Sequence, residues 1–387
     1  MITYIVVFLF ILFLVVNYDI RKRKKNYNTF VDIVVVLLVL LAGLRNGVGS
    51  DTHNYATMFY NAPTLNEVLE AGRYVDWLSQ PIWYLSNTII RAISNHFLLF
   101  QLVHAIVFNL LLLRFLRRTT TYIFTALLMI YCIIWWNLSF EVLREAICVV
   151  LFLNGVLELK KNNVRKFFLW CLPGIFIHWF FFPIVLIILL INYMRPKVSV
   201  GIFAVAALSL FFIEVSVISQ TIMELYGGFA GNDESSEVLQ GYFQTDTLHG
   251  FSSLNIFGFA MSIILMSPYI ISGVGMYKKT GNTVDIAFVI LYVFFFVAQG
   301  RLVILSRYLN YIIPYVIVVL VNYYYQTQKK TLISKFLFIM MVYLSFQGYS
   351  NFKSPRAILG ASEYNYYHIP YTSVFDSPDP RRVPIDY

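Results

Sequence analysis

Residues Thr121 to Lys161 read TYIFTALLMIYCIIWWNLSFEVLREAICVVLFLNGVLELKK. Two apolar blocks, about 121–136 and 142–157, stand back to back, each on the length scale of a bilayer-spanning helix. The short join between them leads through Glu141 into Arg144 and Glu145, and the second block runs out into Lys160 and Lys161. The stretch therefore predicts a pair of membrane helices with the Glu-Arg-Glu group at one surface and the lysines at the other.

The same pattern recurs along the chain. Apolar blocks fall at about 2–18, 30–44, 97–113, 121–136, 142–157, 167–180, 181–193, 198–214, 254–275, 284–300, 304–325 and 331–347. Of the 387 residues, 59% are hydrophobic, 18% aromatic and only 13% charged, where a soluble domain carries about a quarter charged residues. These figures exclude a soluble globule and a disordered chain, and the absence of period-two alternation excludes an outer-membrane barrel. Cys132, Cys148 and Cys171 all lie inside apolar blocks without metal-ligand spacing, and read as membrane-buried thiols. The prediction is an all-α polytopic integral membrane protein with about twelve transmembrane helices, forming a single integral membrane domain over residues 1–387. The first block precedes its positive charges and has no small-residue cleavage site, so it reads as a retained helix rather than a secretory signal.

The net charge of +9 would point to nucleic acid in a soluble protein, but in a membrane protein its distribution sets orientation. Of the 29 basic residues, 18 lie in alternate loops: Arg21 to Lys25, Arg114, Arg117, Arg118, Lys160, Lys161, Arg165, Lys166, Arg195, Lys197, Lys278, Lys279, Lys329 and Lys330. The opposite loops and the tail hold ten. The first set faces the cytoplasm by the positive-inside rule. Two ambiguous stretches are settled by the same rule. Block 167–193, interrupted by Pro173 and Pro183, is read as two short helices meeting near His178, and segment 81–94 as a helix lying at the outer interface. Outer-face segments then span about 45–96, 215–253 and 348–387. The last, rich in tyrosine and proline, suits an irregular packed strip.

Ionisable residues within spans or gathered at one face are functional candidates. Arg45, Arg144, Arg301 and Arg307 all fall at the outer ends of predicted spans, where each guanidinium suits a phosphate and where each also suits headgroup anchoring. Glu141, Arg144 and Glu145, spaced i, i+3, i+4, would share one helical face, so a glutamate there either neutralises the arginine or serves as a general base. Arg45-Asn-Gly-Val-Gly-Ser-Asp51-Thr-His-Asn-Tyr55 turns sharply at its glycines and would stack Asp51 and Tyr55 on a new helix, with Ser50 or Asp51 as its N-cap. His178 lies in aromatic surroundings, structural or proton-accepting. Arg307, Asn310 and Tyr311 share a helical face beside Tyr308, suited to phosphate or sugar and equally to interfacial anchoring. No P-loop, GxGxxG or HExxH motif occurs, and no metal site is read.

Taken in order, these pieces resemble the EpsG-like and Wzy-type polysaccharide polymerases, which make O-antigen or capsule chains. Arg45-x-x-x-Gly49-Ser-Asp51-x-x-x-Tyr55 is similar to the family's opening Arg, Gly-Thr-Asp, Tyr motif, with Ser50 in place of threonine. Leu143-Arg144-Glu145-Ala146 stands where the family has an Arg-Gln pair, with Glu145 in place of glutamine; Phe176-Ile-His178, Arg307-Tyr308 and Pro370-Tyr371-Thr-Ser-Val-Phe375 follow. The resemblance implies a GT-C-like glycosyltransferase of the bacterial cytoplasmic membrane, with its active site on the outer side. It would join oligosaccharide repeat units carried on a polyprenyl pyrophosphate, such as undecaprenyl pyrophosphate, without a cofactor, in contact with membrane lipids and a chain-length regulator. Arg45, Tyr55, Arg144, Arg301, Arg307, Tyr308 and Tyr311 would bind pyrophosphate and sugar. Asp51, Glu141, Glu145 and His178 would be the candidate catalytic groups. A flippase for the same lipid-linked sugars and a single-addition glycosyltransferase are the competing readings.

Overall fold

The structure, a computed structural model, describes residues 2–70, 80–194, 196–212, 256–299, 305–327, 368 and 371–377. Among these residues every regular element is helical, and the single strand-like contact is an antiparallel bridge between Arg45 and Ser373. In chain order the helices are α1 (Ile2–Leu14, running on through a π-helical stretch, Val15–Ile20), α2 (Tyr27–Gly43), α3 (Thr52–Tyr60), α4 (Leu65–Glu70), α5 (Pro81–Ile93) and α6 (Phe97–Thr119). Then follow α7 (Ile123–Ile130), extended by π-helical stretches Tyr131–Trp135 and Asn137–Glu141, and α8 (Leu143–Leu159), α9 (Val164–Ile177), α10 (Phe181–Tyr193) and α11 (Pro196–Phe212). The last three are α12 (Ile256–Thr280), α13 (Thr283–Ala298) and α14 (Ser306–Thr327).

Each apolar block from 2–18 to 304–325 falls mainly on helix where it is described; the block 331–347 and the outer segment 215–253 lie outside the described residues. Among the described residues, Ile2–Ile20, of 19 residues, and Phe97–Thr119, of 23, are each long and apolar enough to cross a bilayer, and five further apolar helices are shorter. Block 167–193 divides where expected: α9 stops at Ile177, His178 is extended (φ −155°, ψ 116°), and α10 starts at Phe181. Segment 81–94 is one helix, opened by Pro81, whose fixed φ and missing N–H suit the first turn.

The chain divides into two compact units, residues 1–182 with 324–387, and residues 183–323. In the first, α8 is buried along most of its length and packs against α9 and α6, while α6 packs against α2. Small residues permit the close approach, as membrane helices require where hydrocarbon supplies no driving force for association. A Cβ on Gly155 would sit 3.2 Å from Cys171 Sγ, and one on Gly43 would sit 2.6 Å from Leu102 Cδ2. Polar groups turn inward between helices: Trp135 Nε1 donates to Asn109 Oδ1 at 3.0 Å, and Asn154 Nδ2 to the Leu111 carbonyl at 3.0 Å. Outward faces are apolar instead, with Ile5, Leu9 and Phe13 of α1, Ile33, Val36 and Leu40 of α2, and Ile106 and Leu110 of α6 exposed. Such a surface is stable against hydrocarbon rather than water. In the second unit α13 packs against α11 and α12, and Tyr315 of α14 donates to Asp285 of α13 at 2.6 Å.

The two ends of the first unit's bundle differ in chemistry. At one end, Arg117 pairs with Asp32 at 2.7 Å and Lys161 with Glu158 at 3.1 Å. The C-terminus of α2, the N-terminus of α6 and the N-terminus of α8 meet at the other, where Gln101 Nε2 donates to the Arg45 carbonyl at 3.1 Å and His104 Nε2 bonds the Leu143 carbonyl at 2.8 Å.

One expected geometry differs. Glu141 does not share a face with Arg144 and Glu145, because helix ends at Glu141 and Val142 leaves helical space (φ −112°, ψ 60°) before α8 begins. The i, i+3, i+4 rule holds only across unbroken α-helix.

Gly43→Val forces α2 and α6 apart and is expected to cost about 1–3 kcal/mol, measured as a lower unfolding temperature in detergent. Leu9→Val, on the exposed face of α1, should leave that temperature unchanged.

Candidate functional site

At the end of α2 the chain enters a loop, Leu44 to Asp51, that needs glycine twice. Gly47 (φ +62°) and Gly49 (φ +106°) both adopt left-handed backbone, and a Cβ on Gly49 would lie 2.7 Å from the Phe140 carbonyl. Arg45 is buried inside this turn, at 1% exposure. Its Nε donates to the Val48 carbonyl at 3.1 Å, its Nη1 to the Ala42 carbonyl, and its guanidinium carbon lies 5.2 Å from the Phe140 ring centre. The side chain closes the loop on itself and stacks it on Phe140. Thr52 Oγ1 completes the turn with a 2.6 Å bond to the Val48 carbonyl, and α3 starts there with Asp51 at the N-cap position.

Glu141, 4% exposed, sits directly under the loop. Its Oε1 accepts from Ser50 N at 3.0 Å and lies 2.9 Å from His368 Nε2; its Oε2 accepts from the Ser50 hydroxyl and from Asp51 N at 3.3 Å. Burial would push this carboxyl upward, but His368 and the Ser50 donors outweigh burial and bring it to about 2.

The tail segment docks on the same loop. Asn46 N donates to the Thr372 carbonyl at 2.8 Å, Thr372 Oγ1 to the Asn46 carbonyl at 2.7 Å, and Val374 N to the Leu44 carbonyl at 2.9 Å. Tyr371 reaches the Leu41 carbonyl at 3.0 Å, and Tyr4 of α1 holds the His368 carbonyl at 2.7 Å. The described part of the tail, His368 and residues 371–377, pairs with the loop that carries the opening motif; the rest of the strip expected at 348–387 lies outside the described residues.

Beside the loop, at the first turn of α8, Arg144 is half-buried and donates from Nη1 to Gln80 Oε1 at 2.7 Å. Its Nε is buried with no hydrogen-bond partner among the described residues. Tyr55 is buried on α3, with Trp83 edge-on at 5.8 Å between centroids. Burial holds the Tyr55 hydroxyl above its ordinary range, against the charge and hydrogen bond of Arg144, while the charge of Asp51 pushes it further up. Asp51, Tyr55 and Arg144 are therefore one electrostatic cluster.

The other sequence candidates take the following places. Glu145 is buried in the first turn of α8, where a carboxylate complements the helix dipole. His178 is buried at the α9–α10 corner, its ring 5.5 Å from Phe180. Arg307, Tyr308 and Tyr311 begin α14 in the second unit, with Tyr311 buried and Tyr308 packed 4.9 Å from Phe295. Arg301 lies outside the described residues. Among the described residues no three His, Cys, Asp or Glu side chains are placed to hold a metal ion. The residues that sequence reasoning passed over are His368, Ser50 as a bonding group, Gln80 and Trp83. Only His368 carried a signal, standing two residues before the Pro370-Tyr371 motif.

Compared with known proteins, the sequence matches the model of the EpsG family over residues 28–373. No curated protein matches it, and no solved structure does.

Because the Glu141 carboxyl titrates near 2 rather than 4.5, it adds stability at pH values above about 4.5 that is lost as pH falls through about 2. Glu141→Gln should lack this acid dependence and, at neutral pH, unfold with a stability loss of about 1–3 kcal/mol from its unsatisfied neighbours. Thermal unfolding of both proteins across pH 2–7 checks this.

Proposed function

The chain belongs to the EpsG family of Wzy-type polysaccharide polymerases, and on that premise we propose that it joins polyprenyl-pyrophosphate-linked oligosaccharide repeat units. The growing glycan passes to the acceptor sugar of a second lipid-linked unit, at the outer leaflet of the bacterial cytoplasmic membrane. About twelve spans carry this site, and a chain-length regulator and membrane lipids are its partners.

Arg144 carries the reading. It is held by Gln80 beside Tyr55, keeps a buried Nε without a bond among the described residues, and stands at the N-terminal end of a 17-residue helix. That is a setting for a phosphate oxygen. In the transfer, the acceptor hydroxyl oxygen bonds to the anomeric carbon of the growing chain while the bond from that carbon to pyrophosphate breaks. Negative charge grows on the departing pyrophosphate, which keeps its polyprenyl chain. A guanidinium fixed beside that charge stabilises the transition state more than the ground state.

The acceptor's proton needs a base. Glu141 is a poor one, since its carboxylate already takes four donors and titrates near 2. Asp51, next to Ser50 and acting electrostatically on Tyr55, is only half-buried and takes that role. Arg45 supports the site from within its loop. Arg301, Arg307, Tyr308 and Tyr311 remain proposed phosphate and sugar contacts on sequence grounds alone. The outer location is supported by charge: Arg45, Asp51 and Arg144 occupy the bundle end opposite Arg117, Arg118 and Lys161.

Purified protein given the host's lipid-linked repeat unit should yield a ladder spaced by one repeat. Arg144→Ala should slow it about 100-fold or more, and Asp51→Asn should abolish most elongation while substrate still binds. A full ladder from Arg144→Ala would overturn the assignment. A single added sugar would identify a single-addition glycosyltransferase, and movement of the lipid-linked sugar across the bilayer without a ladder would identify a transporter.

A further inference from the structure

We propose that His368 is a positioning residue for the transfer, acting through Glu141 on the Ser50–Asp51 turn. The inference rests on the polymerase reading above and adds a residue to it. Nothing in the spacing of the opening motif or of the Arg144 motif points to His368; only the fold brings it to them.

The geometry is as follows. His368 is 3% exposed, and its Nε2 lies 2.9 Å from Glu141 Oε1. Its ring stacks on Phe140 at 6.2 Å between centroids, with 16° between planes. Phe140 is the residue that also carries the Arg45 guanidinium over its ring and receives Gly49 against its carbonyl. Phe140 and Glu141 are thus gripped from the loop and from the tail together. Ties at His368 itself and downstream of it hold the residue in place: Tyr4 bonds the His368 carbonyl, and Thr372 and Val374 pair with Asn46 and Leu44.

The carboxylate of Glu141 in turn faces three donors from the turn, namely Ser50 N, the Ser50 hydroxyl and Asp51 N. A carboxylate with both oxygens committed can hold that turn in one orientation. With the imidazole removed, Oε1 keeps only Ser50 N, and the buried carboxylate loses the one donor among the described residues that anchors it from outside the turn. The residue whose direction then changes is Asp51, the proposed base, and small displacements of a base are costly because proton transfer demands hydrogen-bond geometry. This is the relation in which a carboxylate orients a neighbouring group without itself exchanging the proton. Here the carboxylate orients a backbone turn, and the histidine secures the carboxylate.

The test compares His368→Ala with His368→Gln. Glutamine places an amide N–H near the position of Nε2 and can donate to Glu141, but it cannot carry a proton through the reaction. His368→Ala should lower kcat for elongation about 10- to 100-fold with KM for the lipid-linked unit little changed. His368→Gln should recover most of that rate with the wild-type pH profile. Wild-type kcat in His368→Ala, or a folded His368→Gln as slow as the alanine variant, would overturn the proposal; the second result would mean that the imidazole itself moves the proton.

A readout independent of activity separates this proposal from the polymerase reading. In a thermal-unfolding cycle of His368→Ala and Glu141→Gln the two losses should be non-additive. Additive losses, in a protein that makes the ladder, would remove the pair and leave the polymerase. No ladder from the wild type, with coupled losses, would leave a structural pair and remove its role in transfer.

Discussion

The carboxylate of Glu141 accepts from two backbone amides, a hydroxyl and an imidazole, drawn from a loop 91 residues before it and a tail segment long after it. Taking a carboxylate out of water costs several kcal/mol, and only a complete set of donors offsets that cost. The consequence is cooperative. The loop after α2, the end of the α7 extension and the tail strip have to assume their conformations together, since each supplies what another would leave unsatisfied. Arg45 belongs to the same unit, stacked on Phe140 and bonded to carbonyls of its own turn.

Val142 makes the arrangement possible. The π-helical stretches before it turn the chain by more residues per turn than an α-helix does, and the break at Val142 ends the helix altogether. Two charged residues three positions apart are then free to face different tasks. Glu141 turns to the loop and tail, and Arg144 turns to Gln80 and Tyr55. A continuous helix would have set them side by side, where the glutamate would neutralise the arginine.

The helices were legible because lipid leaves the chain few options. Backbone groups in hydrocarbon must be satisfied within the segment, so an apolar block of the right length reads as a helix with little ambiguity. Even the corner at His178 could be placed, from two prolines and a length that suits neither one span nor two full ones. The site was legible only where it is local. Arg144 and the Asp51–Tyr55 pair, which the structure clusters, are marked in the sequence by a motif and a helix start. The shared face of Glu141 and Arg144 was misjudged, because periodicity assumes regular helix and nothing in NLSFEV announces a π-helical turn. In the sequence Arg45 reads as suiting a phosphate or a headgroup, while its Nε and Nη1 turn inward to carbonyls of its own turn. His368 stands near the Pro370-Tyr371 motif, but its pairing with Glu141, across most of the chain, leaves no trace in spacing.

The pairing of Asn46 with Thr372 spans 326 residues. During synthesis, the loop is therefore made and delivered to the membrane long before the strip that completes it exists. Through that interval the bundle can assemble helix by helix, while the glycine turn and the Glu141 carboxyl wait with part of their bonding unmade. Completion of the site is then a late event, separate in time from insertion of the helices that frame it. In a chain built this way, the framing helices can be in place while the loop between them still lacks its last partners.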